Sequence, residues 1–425
     1  MASKVRVRKR SGKTVVFQQI KITQAVISCL INGCRREMIE ATKIADQITA
    51  KVTQILLRSH DIVDVEQIQD IVETTLMAAG EHEAAKQYIL YRDERRRLRS
   101  ELSIFRKRVA FKPFEYPDII AFKDAINHSY WLVSEWNFIE DVQDFNVRLS
   151  PIEQNAIKHA LLAISQIEVA VKRFWARLGE RFPKSEFEQV GITFAESEVR
   201  HADAYSHLLQ KLGLNDAFDG ITEVPAIKAR VEYLAETMIG MAGDVDEDYV
   251  TTLTLFSLFI ENVSLFSQFA IIKAFNKYRG LLKDVDNVVQ ATQQEERIHA
   301  LLGVTIIKHI QKERPKWFGE SFWTRINEMS AKALEAESAI IDWIFEDGEL
   351  PFLSSDTLKE FVKKRLNDSI EMIGGKSPFT VDERKIDKLR WFIEEVDAEV
   401  STDFFHKRPV TYSKKAQPIT ANSLF

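Results

Sequence analysis

Residues 250–272 read VTTLTLFSLFIENVSLFSQFAII, a run long and apolar enough to resemble a membrane span. Glu261 stands near its centre, where a carboxylate facing lipid would be costly. A helix that is apolar on every side belongs in the core of a large helical protein, and a carboxylate inside such a core needs a partner. The stretch therefore predicts a buried helix beside a polar site, and not a membrane protein.

Two short motifs elsewhere in the chain offer that partner. Glu198-Val-Arg-His201 and Glu296-Arg-Ile-His299 each place a carboxylate and an imidazole three residues apart, on one face of a helix. One such pair alone is weak evidence, because nine histidines in a chain of ordinary composition produce roughly one by chance. Their context is more informative, since an apolar helix with one interior glutamate lies upstream of each pair.

The two interior glutamates are Glu261 and Glu168, which lies in HALLAISQIEVAVKRFW at 159–175. The chain therefore reads twice as a buried glutamate followed by Glu-x-x-His, the arrangement of four-helix carboxylate proteins that bind two iron or manganese ions. Hard oxygen donors with one nitrogen per ion suit those metals, and the lack of cysteine ligands disfavours structural zinc. The alternative is a set of surface Glu/His pairs with two isolated buried acids.

Tyr205 lies four residues after His201 and seven after Glu198, on the same helix face. The spacing predicts a phenol beside the metal ions, where an oxidisable side chain would be chemically useful. The alternative is a core tyrosine whose hydroxyl finds a polar partner.

The distribution of charge divides the chain into segments. The first 100 residues hold 18 Lys and Arg against 12 Asp and Glu, although the whole chain carries a net charge of -5, and the first proline is Pro113. This predicts a separate module at 1–99, a linker at 100–120, a nearly all-helical domain at 121–400 and a flexible tail at 401–425. Within the module, VRVRKRSGKTVVF at 5–17 predicts a hairpin followed by helices.

Composition excludes several classes of protein. With 45% hydrophobic and 28% charged residues, the chain has no general attraction to nucleic acid or to a membrane surface. Its two cysteines, Cys29 and Cys34, form neither a disulfide framework nor a CxxC pair. The basic N-terminus is not followed by an apolar run, so we expect a cytoplasmic protein.

The metal-binding pattern resembles the small (R2) subunit of class I ribonucleotide reductases, over about residues 115–425. The resemblance implies a mainly α fold, a ferritin-like helical bundle with a dinuclear metal site, and an oxidoreductase that acts with a large catalytic subunit as a homodimer. It places Tyr205 at the position of the radical tyrosine. The implied metal ligands are Glu168, Glu198, His201, Glu261, Glu296 and His299.

The same family passes an oxidising equivalent outward through a tryptophan, an acidic residue beside a ligand and a tyrosine in the tail. Trp131 matches the tryptophan best and Trp136 less well, Glu295 stands where the family usually has Asp, and Tyr412 is the only tyrosine in the tail. A core aromatic is the alternative for Trp131, and a disordered tail residue for Tyr412. The final ITANSLF resembles the peptide that docks on the large subunit.

Residues 3–92 resemble an ATP-cone, a small α+β nucleotide-binding domain. The resemblance implies ATP and dATP as allosteric effectors, with the working dimer permitted by ATP and a larger inactive oligomer favoured by dATP. A basic arm for RNA and a solvated charge run are the alternatives. The implied nucleotide contacts are Val7, Lys9, Arg10, Phe17, Lys21, Gln69, Lys86 and Arg92.

Glu168 departs from the family pattern, because most members with a tyrosyl radical have Asp at this position. The longer side chain moves the carboxylate and can remove its hydrogen bond to the tyrosine. In subgroups with Glu here, the oxidising equivalent can stay on the metals, so a Tyr205 radical and a metal-stored oxidant both remain open. The metal pair is expected to be dimanganese slightly in preference to diiron, with a mixed pair as a further form.

Two other classes of function fit part of the pattern. A ferritin-like iron-storage or oxidase protein would share the ligands, but it would have no use for residues 1–100. A nucleotide-sensing regulator with a structural metal site would leave Tyr205, Trp131 and Tyr412 without a role. Metal analysis with electron paramagnetic resonance on the oxidised protein would distinguish them.

Overall fold

The computed structural model describes residues 5–9, 14–58, 62–242 and 246–401. Within these ranges, the side chains of residues 32–33, 94–101, 168–170, 236–242, 246 and 398–401 are not described. The chain divides between Ser103 and Ile104 into two compact units, here called the N-terminal unit and the helical unit.

In its described residues, the N-terminal unit combines a small sheet with four α-helices. Strand β1 pairs antiparallel with β2, with Val7 opposite Val15, and parallel with β3, with Val7 opposite Val63. The hairpin expected from the alternating sequence is thereby confirmed, whereas β3 was not anticipated because three residues show no readable alternation. The elements are β1 Arg6–Arg8, β2 Thr14–Val16, α1 Gln19–Ser28, α2 Met38–Leu57, β3 Ile62–Asp64, α3 Val65–Ala78 and α4 His82–Glu101.

The helical unit is built from long helices joined by short turns, as the sequence predicts. Its α-helices are α5 Pro117–Ser129, α6 Ile139–Gln143, α7 Pro151–Ala176, α8 Leu178–Arg181, α9 Ser185–Lys211, α10 Pro225–Ala242, α11 Asp246–Thr254, α12 Phe266–Arg279, α13 Lys283–Glu313, α14 Glu320–Ile344, α15 Ser355–Met372, α16 Glu383–Ile386 and α17 Arg390–Ser401. Helices α7, α9, α12 and α13 pack around the centre of the unit, and α10, α14 and α15 pack outside them.

The apolar run around Glu261 is a core element. Between α11 and α12, residues Leu255–Ser264 form a π-helical segment in which every residue is buried, including Glu261. The whole run 247–279 is long and apolar enough to cross a membrane, but its most apolar window is entirely inside the protein. Long π-helical segments are rare and occur mostly at functional sites.

Close packing places the π-helical segment against α13. A Cβ added at Gly303 would lie 2.1 Å from both Cβ and Oγ of Ser257, far inside van der Waals contact. Only a glycine allows the two helices to approach this closely. Gly303 lies one turn after His299, so this contact brings the second Glu-x-x-His motif beside Glu261.

Acidic side chains accept hydrogen bonds from the start of α13, the helix that carries this motif. Oδ1 of Asp141 accepts from the backbone N–H of Val285 at 2.9 Å, and Oδ2 of Asp144 accepts from that of Leu282 at 3.0 Å. Both carboxylates are buried. Unsatisfied N–H groups at a helix start need such acceptors when they are buried.

Candidate metal centre

Three helical elements bring five of the expected ligands to one place in the core of the helical unit. Two come from α9, one from the π-helical segment and two from α13. We call this group the carboxylate cage, and it consists of Glu198, His201, Glu261, Glu296 and His299. Every member is at most 1% exposed.

Two glutamates of the cage each lie between the two histidines. Glu296 places Oε1 3.0 Å from Nδ1 of His201 and Oε2 3.2 Å from Nδ1 of His299. Glu198 does the reverse, with Oε1 2.9 Å from Nδ1 of His299 and Oε2 3.3 Å from Nδ1 of His201. Oε2 of Glu261 lies 3.6 Å from Nδ1 of His299. Glu198 and Glu296 therefore each offer one oxygen toward either histidine, and the group could hold two ions.

The sixth expected ligand, Glu168, is on α7, which packs against α9. Its side chain lies outside the described residues, so its role stays a prediction. The four cage members whose ligand atoms all lie within 4.8 Å of one another are Glu198, Glu261, Glu296 and His299.

The donor set fits a pair of hard divalent cations. Oε1 of Glu198 and Oε2 of Glu261 are buried, and both face the same imidazole nitrogen, Nδ1 of His299, at 2.9 and 3.6 Å. Buried carboxylate oxygens are costly unless a cation or a donor satisfies them. Two divalent ions would supply that charge, and oxygen-rich sites with one imidazole per ion suit manganese and iron.

The electrostatics of the cage also favour positive charge. Burial alone would lower the pKa of His299, but the charge of Glu198 and hydrogen bonds to Glu198 and Glu261 raise it to about 9. Burial alone would raise the pKa of the Glu198 carboxyl, but the charge of His299 lowers it well below its ordinary value. Without metal ions, the carboxylates therefore favour a protonated histidine. The same negative charge would attract metal ions.

Partners outside the cage orient both imidazoles. Each ring points Nδ1 at the carboxylates and Nε2 away: Nε2 of His201 lies 2.8 Å from Oε2 of Glu295, and that of His299 lies 3.0 Å from Oγ of Ser197. Such partners fix the orientation and tautomer of metal-binding histidines. Sequence reasoning named Glu295 but missed Ser197, whose only signal is its place directly before Glu198.

Aromatic side chains of α7 and α9 pack against the cage. The indole N–H of Trp175 donates to Oε1 of Glu261 at 2.7 Å, and the ring of Phe194 lies 4.2 Å from that of His299. Sequence reasoning missed Trp175, although it stands seven residues after Glu168, two turns along the same helix face. Tyr205 is fully buried on α9, one turn after His201.

The expected outward route of the oxidising equivalent begins at Trp131, which is 1% exposed. Its ring stacks on that of His201 with 5.9 Å between centroids and 13° between planes, and Trp136 meets it edge-on at 5.5 Å. The indole N–H of Trp131 has no hydrogen-bond partner among the described residues, so its link to Glu295 is not through that group. Tyr412 lies outside the described residues.

The N-terminal unit holds a second candidate site, a cavity of about 480 Å³ between the sheet and helices α1, α3 and α4. Five of the expected nucleotide contacts line it: Val7, Lys9, Phe17, Lys21 and Gln69. Sequence reasoning missed Gln18 and Tyr88, which line it as well. Its walls are mainly apolar and suit a flat ring, and its two lysines suit phosphates.

The other expected contacts are placed differently. Lys86 is exposed and is not among the lining residues of the cavity. Arg92 does not line the cavity either, because its guanidinium pairs with three carboxylates of α3, those of Glu66, Asp70 and Glu73. Arg10 lies outside the described residues.

Comparisons with known proteins match both units. The family model "Ribonucleotide reductase, small chain" matches residues 108–386, and "ATP cone domain" matches residues 5–97. A relative named "probable ribonucleoside-diphosphate reductase small subunit", from Invertebrate iridescent virus 3, is 26% identical over 329 residues, which are 74% of this chain and 86% of that one.

Solved structures share the fold of the helical unit. The R2 subunit of ribonucleotide reductase from Clostridium botulinum aligns with a TM-score of 0.60 at 16% identity, over 66% of this chain and 89% of that one. An R2-like ligand-binding oxidase with a Mn/Fe cofactor aligns with a TM-score of 0.54 at 21% identity, over 61% of this chain and 94% of that one. At these identities the likeness shows the fold alone.

Proposed function

This chain belongs to the ribonucleotide reductase small-chain family, and on that premise we propose that the carboxylate cage, completed by Glu168, holds two metal ions. The observation that carries the proposal is the placement of Glu198 and Glu296, each with one oxygen toward either histidine. As a small subunit, the chain generates and stores an oxidising equivalent for a large catalytic subunit, which converts ribonucleotides to deoxyribonucleotides.

When bound, the metal pair supplies the oxidising equivalent from which the large subunit makes a thiyl radical. The residues of this chain would bind and orient the ions and exclude water from them. Glu198 and Glu296 would hold both ions, and His201 and His299 would each supply one nitrogen. Trp175 of α7 and Phe194 of α9 pack against Glu261 and His299. Exclusion of water lowers the local dielectric constant and so strengthens every electrostatic contact within the cage.

We propose manganese in preference to iron in the pair, because the glutamate at position 168 matches the subgroups in which the metals store the oxidant. The test is reconstitution of the metal-free chain with manganese, with iron and with both, followed by metal analysis and electron paramagnetic resonance. We expect two ions per chain and the highest reductase activity, measured with the large subunit, in a manganese-containing form. Highest activity with iron alone would contradict the preference.

The location of the stored oxidant is tested by Tyr205→Phe. The substitution removes one hydroxyl from a buried ring and leaves the cage intact. Retained reductase activity would exclude a tyrosyl radical as the essential species and assign the oxidant to the metals. Lost activity with a full complement of metal would assign it to Tyr205.

We propose that the N-terminal unit, residues 1–99, is an allosteric domain that binds ATP and dATP in its cavity. Lys9 and Lys21 would neutralise the phosphates, and the apolar wall with Phe17 would receive the base. ATP would permit the working dimer and dATP a larger inactive oligomer. Light scattering of the full chain with each nucleotide tests this, and identical masses would contradict it.

The remaining segments have proposed roles in assembly. Residues 100–120 would link the allosteric domain to the metal-binding domain at 121–400. The tail, 401–425, would dock on the large subunit and carry Tyr412 to the interface. A chain truncated after residue 400 should load metal normally but lose activity with the large subunit, whereas unchanged activity would remove the tail from the mechanism.

A further inference from the structure

Arg200 stands directly before the cage histidine His201 on α9 and is 6% exposed. A buried guanidinium is costly unless charged or polar groups surround it, so its contacts indicate what it serves.

The guanidinium of Arg200 contacts buried residues beside the cage and also residues at the protein surface. Nη2 donates to Oε1 of Glu295 at 3.2 Å, and Nη1 donates to the backbone carbonyl of Trp131 at 3.3 Å. Nε donates to the carboxylate of Glu196 at 3.0 and 3.1 Å. Its planar charge also lies 4.5 Å from the ring centre of Tyr130, a residue that is 42% exposed.

These contacts complete the connection between Trp131 and Glu295. The carboxylate of Glu295 is fully buried and also contacts Oγ of Ser129 at 3.1 Å and Nε2 of His201 at 2.8 Å. Since the indole N–H of Trp131 donates to no described group, Arg200 supplies the hydrogen bonds that tie the Trp131 backbone to Glu295.

A guanidinium is suited to this task. It offers several donors in one plane and can bond a carboxylate and a carbonyl while stacking on an aromatic ring, whereas a lysine ammonium cannot do all three. A guanidinium also stays protonated at any working pH, so the cation persists.

We propose that Arg200 is a positioning residue for the outward transfer of the oxidising equivalent. It holds Trp131 stacked on His201 and fixes Glu295 against Nε2 of His201. The inference rests on the proposed function of the cage. The electron that Trp131 gives toward the cage is replaced by one drawn from the large subunit, so the indole is unchanged at the end of each cycle.

The test compares R200Q and R200K with the wild-type full-length chain, and with R177Q as a matched control. Arg177 is also an arginine of the helical unit, but its ion pair with Glu180 is on the surface. Four quantities are measured: metal ions per chain, the paramagnetic signal of the oxidised centre, maximal turnover, and the concentration of large subunit that gives half of that turnover.

We expect R200Q to load metal and form the oxidised centre as the wild-type chain does, and to need the same concentration of large subunit. Its maximal turnover should fall roughly tenfold or more, the effect of losing a charged hydrogen bond. R200K should recover part of the loss, and R177Q should match the wild type. If the helical content shows that R200Q does not fold, R200K alone carries the test, and its turnover is expected to fall by less than tenfold.

Turnover of R200Q or R200K equal to that of the wild-type chain would overturn the proposal. A loss of metal in R200Q would also overturn it, because Arg200 would then act by holding the ligand His201. A wild-type chain that loads two ions but shows no reductase activity would contradict the proposed function instead. In that case Arg200 is tested by the rate at which ascorbate reduces the oxidised centre. Equal reduction rates in R200Q and in the wild-type chain would overturn the proposal.

Discussion

The indole N–H of Trp175 donates a 2.7 Å hydrogen bond to Oε1 of Glu261, and both residues are fully buried. They are 86 residues apart in the chain, one on α7 and the other in the π-helical segment. The bond occupies one oxygen of the glutamate and leaves the other, Oε2, directed at His299. Trp175 therefore orients Glu261, one of the proposed metal ligands.

We predict that Trp175→Phe weakens metal binding by about 10-fold to 100-fold, the usual cost of losing such a partner. Competition with a chelator of known affinity measures it, and Trp391→Phe serves as the control, because Trp391 lies on α17 beside Tyr278. Equal affinities for the two variants would show that the hydrogen bond does not orient the ligand.

The contact between Gly303 and Ser257 yields a second prediction. Gly303→Ala should lower the free energy of unfolding by about 1–3 kcal/mol, because the new methyl group would force α13 away from the π-helical segment. Metal affinity should fall with it, since the two elements carry different ligands.

Denaturant titration measures the stability of this variant. Adding Ser257→Gly should restore most of the loss if the clash is the cause. Gly319→Ala is the control, because a Cβ there would lie 3.7 Å from the nearest atom, the carbonyl oxygen of Lys316. A double variant no more stable than Gly303→Ala alone would refute the explanation.

We predict that stability depends on pH through Asp141, which caps the start of α13. Burial raises the pKa of its carboxyl from the ordinary value of 3.8 to about 6, even though Val285 donates to it. Between these two values the folded chain binds more protons than the unfolded chain, so the contribution of Asp141 to stability is largest below pH 3.8 and is lost as the pH rises through 6.

The variant Asp141→Asn keeps an acceptor for Val285 but does not titrate. Wild-type stability relative to this variant should therefore decrease as the pH is raised from about 4 to 6 and change little above that range. Urea titrations of both chains at several pH values measure the difference. A difference that stays constant with pH would place the pKa of Asp141 at its ordinary value.

The cavity of the N-terminal unit distinguishes two basic residues that the sequence analysis grouped together. Lys21→Gln should weaken ATP binding by roughly tenfold, since a charged contact to phosphate is lost. Arg92→Gln should leave ATP affinity within roughly twofold and lower the stability of the N-terminal unit, because Arg92 ties α4 to three carboxylates of α3. Calorimetric titration of the full chain measures both, and a larger loss of affinity in Arg92→Gln would reverse the assignment.

Several features of the metal centre were predictable because they are local in the chain. The helical period places Glu198 with His201, and Glu296 with His299, on a shared face whatever the rest of the fold does. An apolar run with one carboxylate has to be buried with a partner, which identified Glu261 as part of a polar site. The hairpin at residues 5–17 was readable for the same reason, since alternation and turn chemistry act over a few residues.

Contacts between distant segments were not predictable in this way. Whether Trp175 reaches Glu261, or Arg200 reaches Glu295, depends on how helices far apart in the chain are rotated and spaced, and a single sequence does not record that. Strand β3 was missed because its three residues pair with β1 across more than fifty intervening positions. The sequence did not show that Arg92 pairs with three carboxylates of α3, because a basic residue looks the same whether it faces a cavity or a carboxylate.

The sequence alone determined which residues can bind metal and that their helices must be buried, because side-chain chemistry and helical period are properties of short segments. The tertiary structure decided that Glu198 and Glu296 each lie between two histidines, that Trp175 orients Glu261, and that Arg200 ties Trp131 to Glu295. Those relationships depend on the packing distance between helices, which Gly303 and the π-helical segment set, and packing is a property of the whole core.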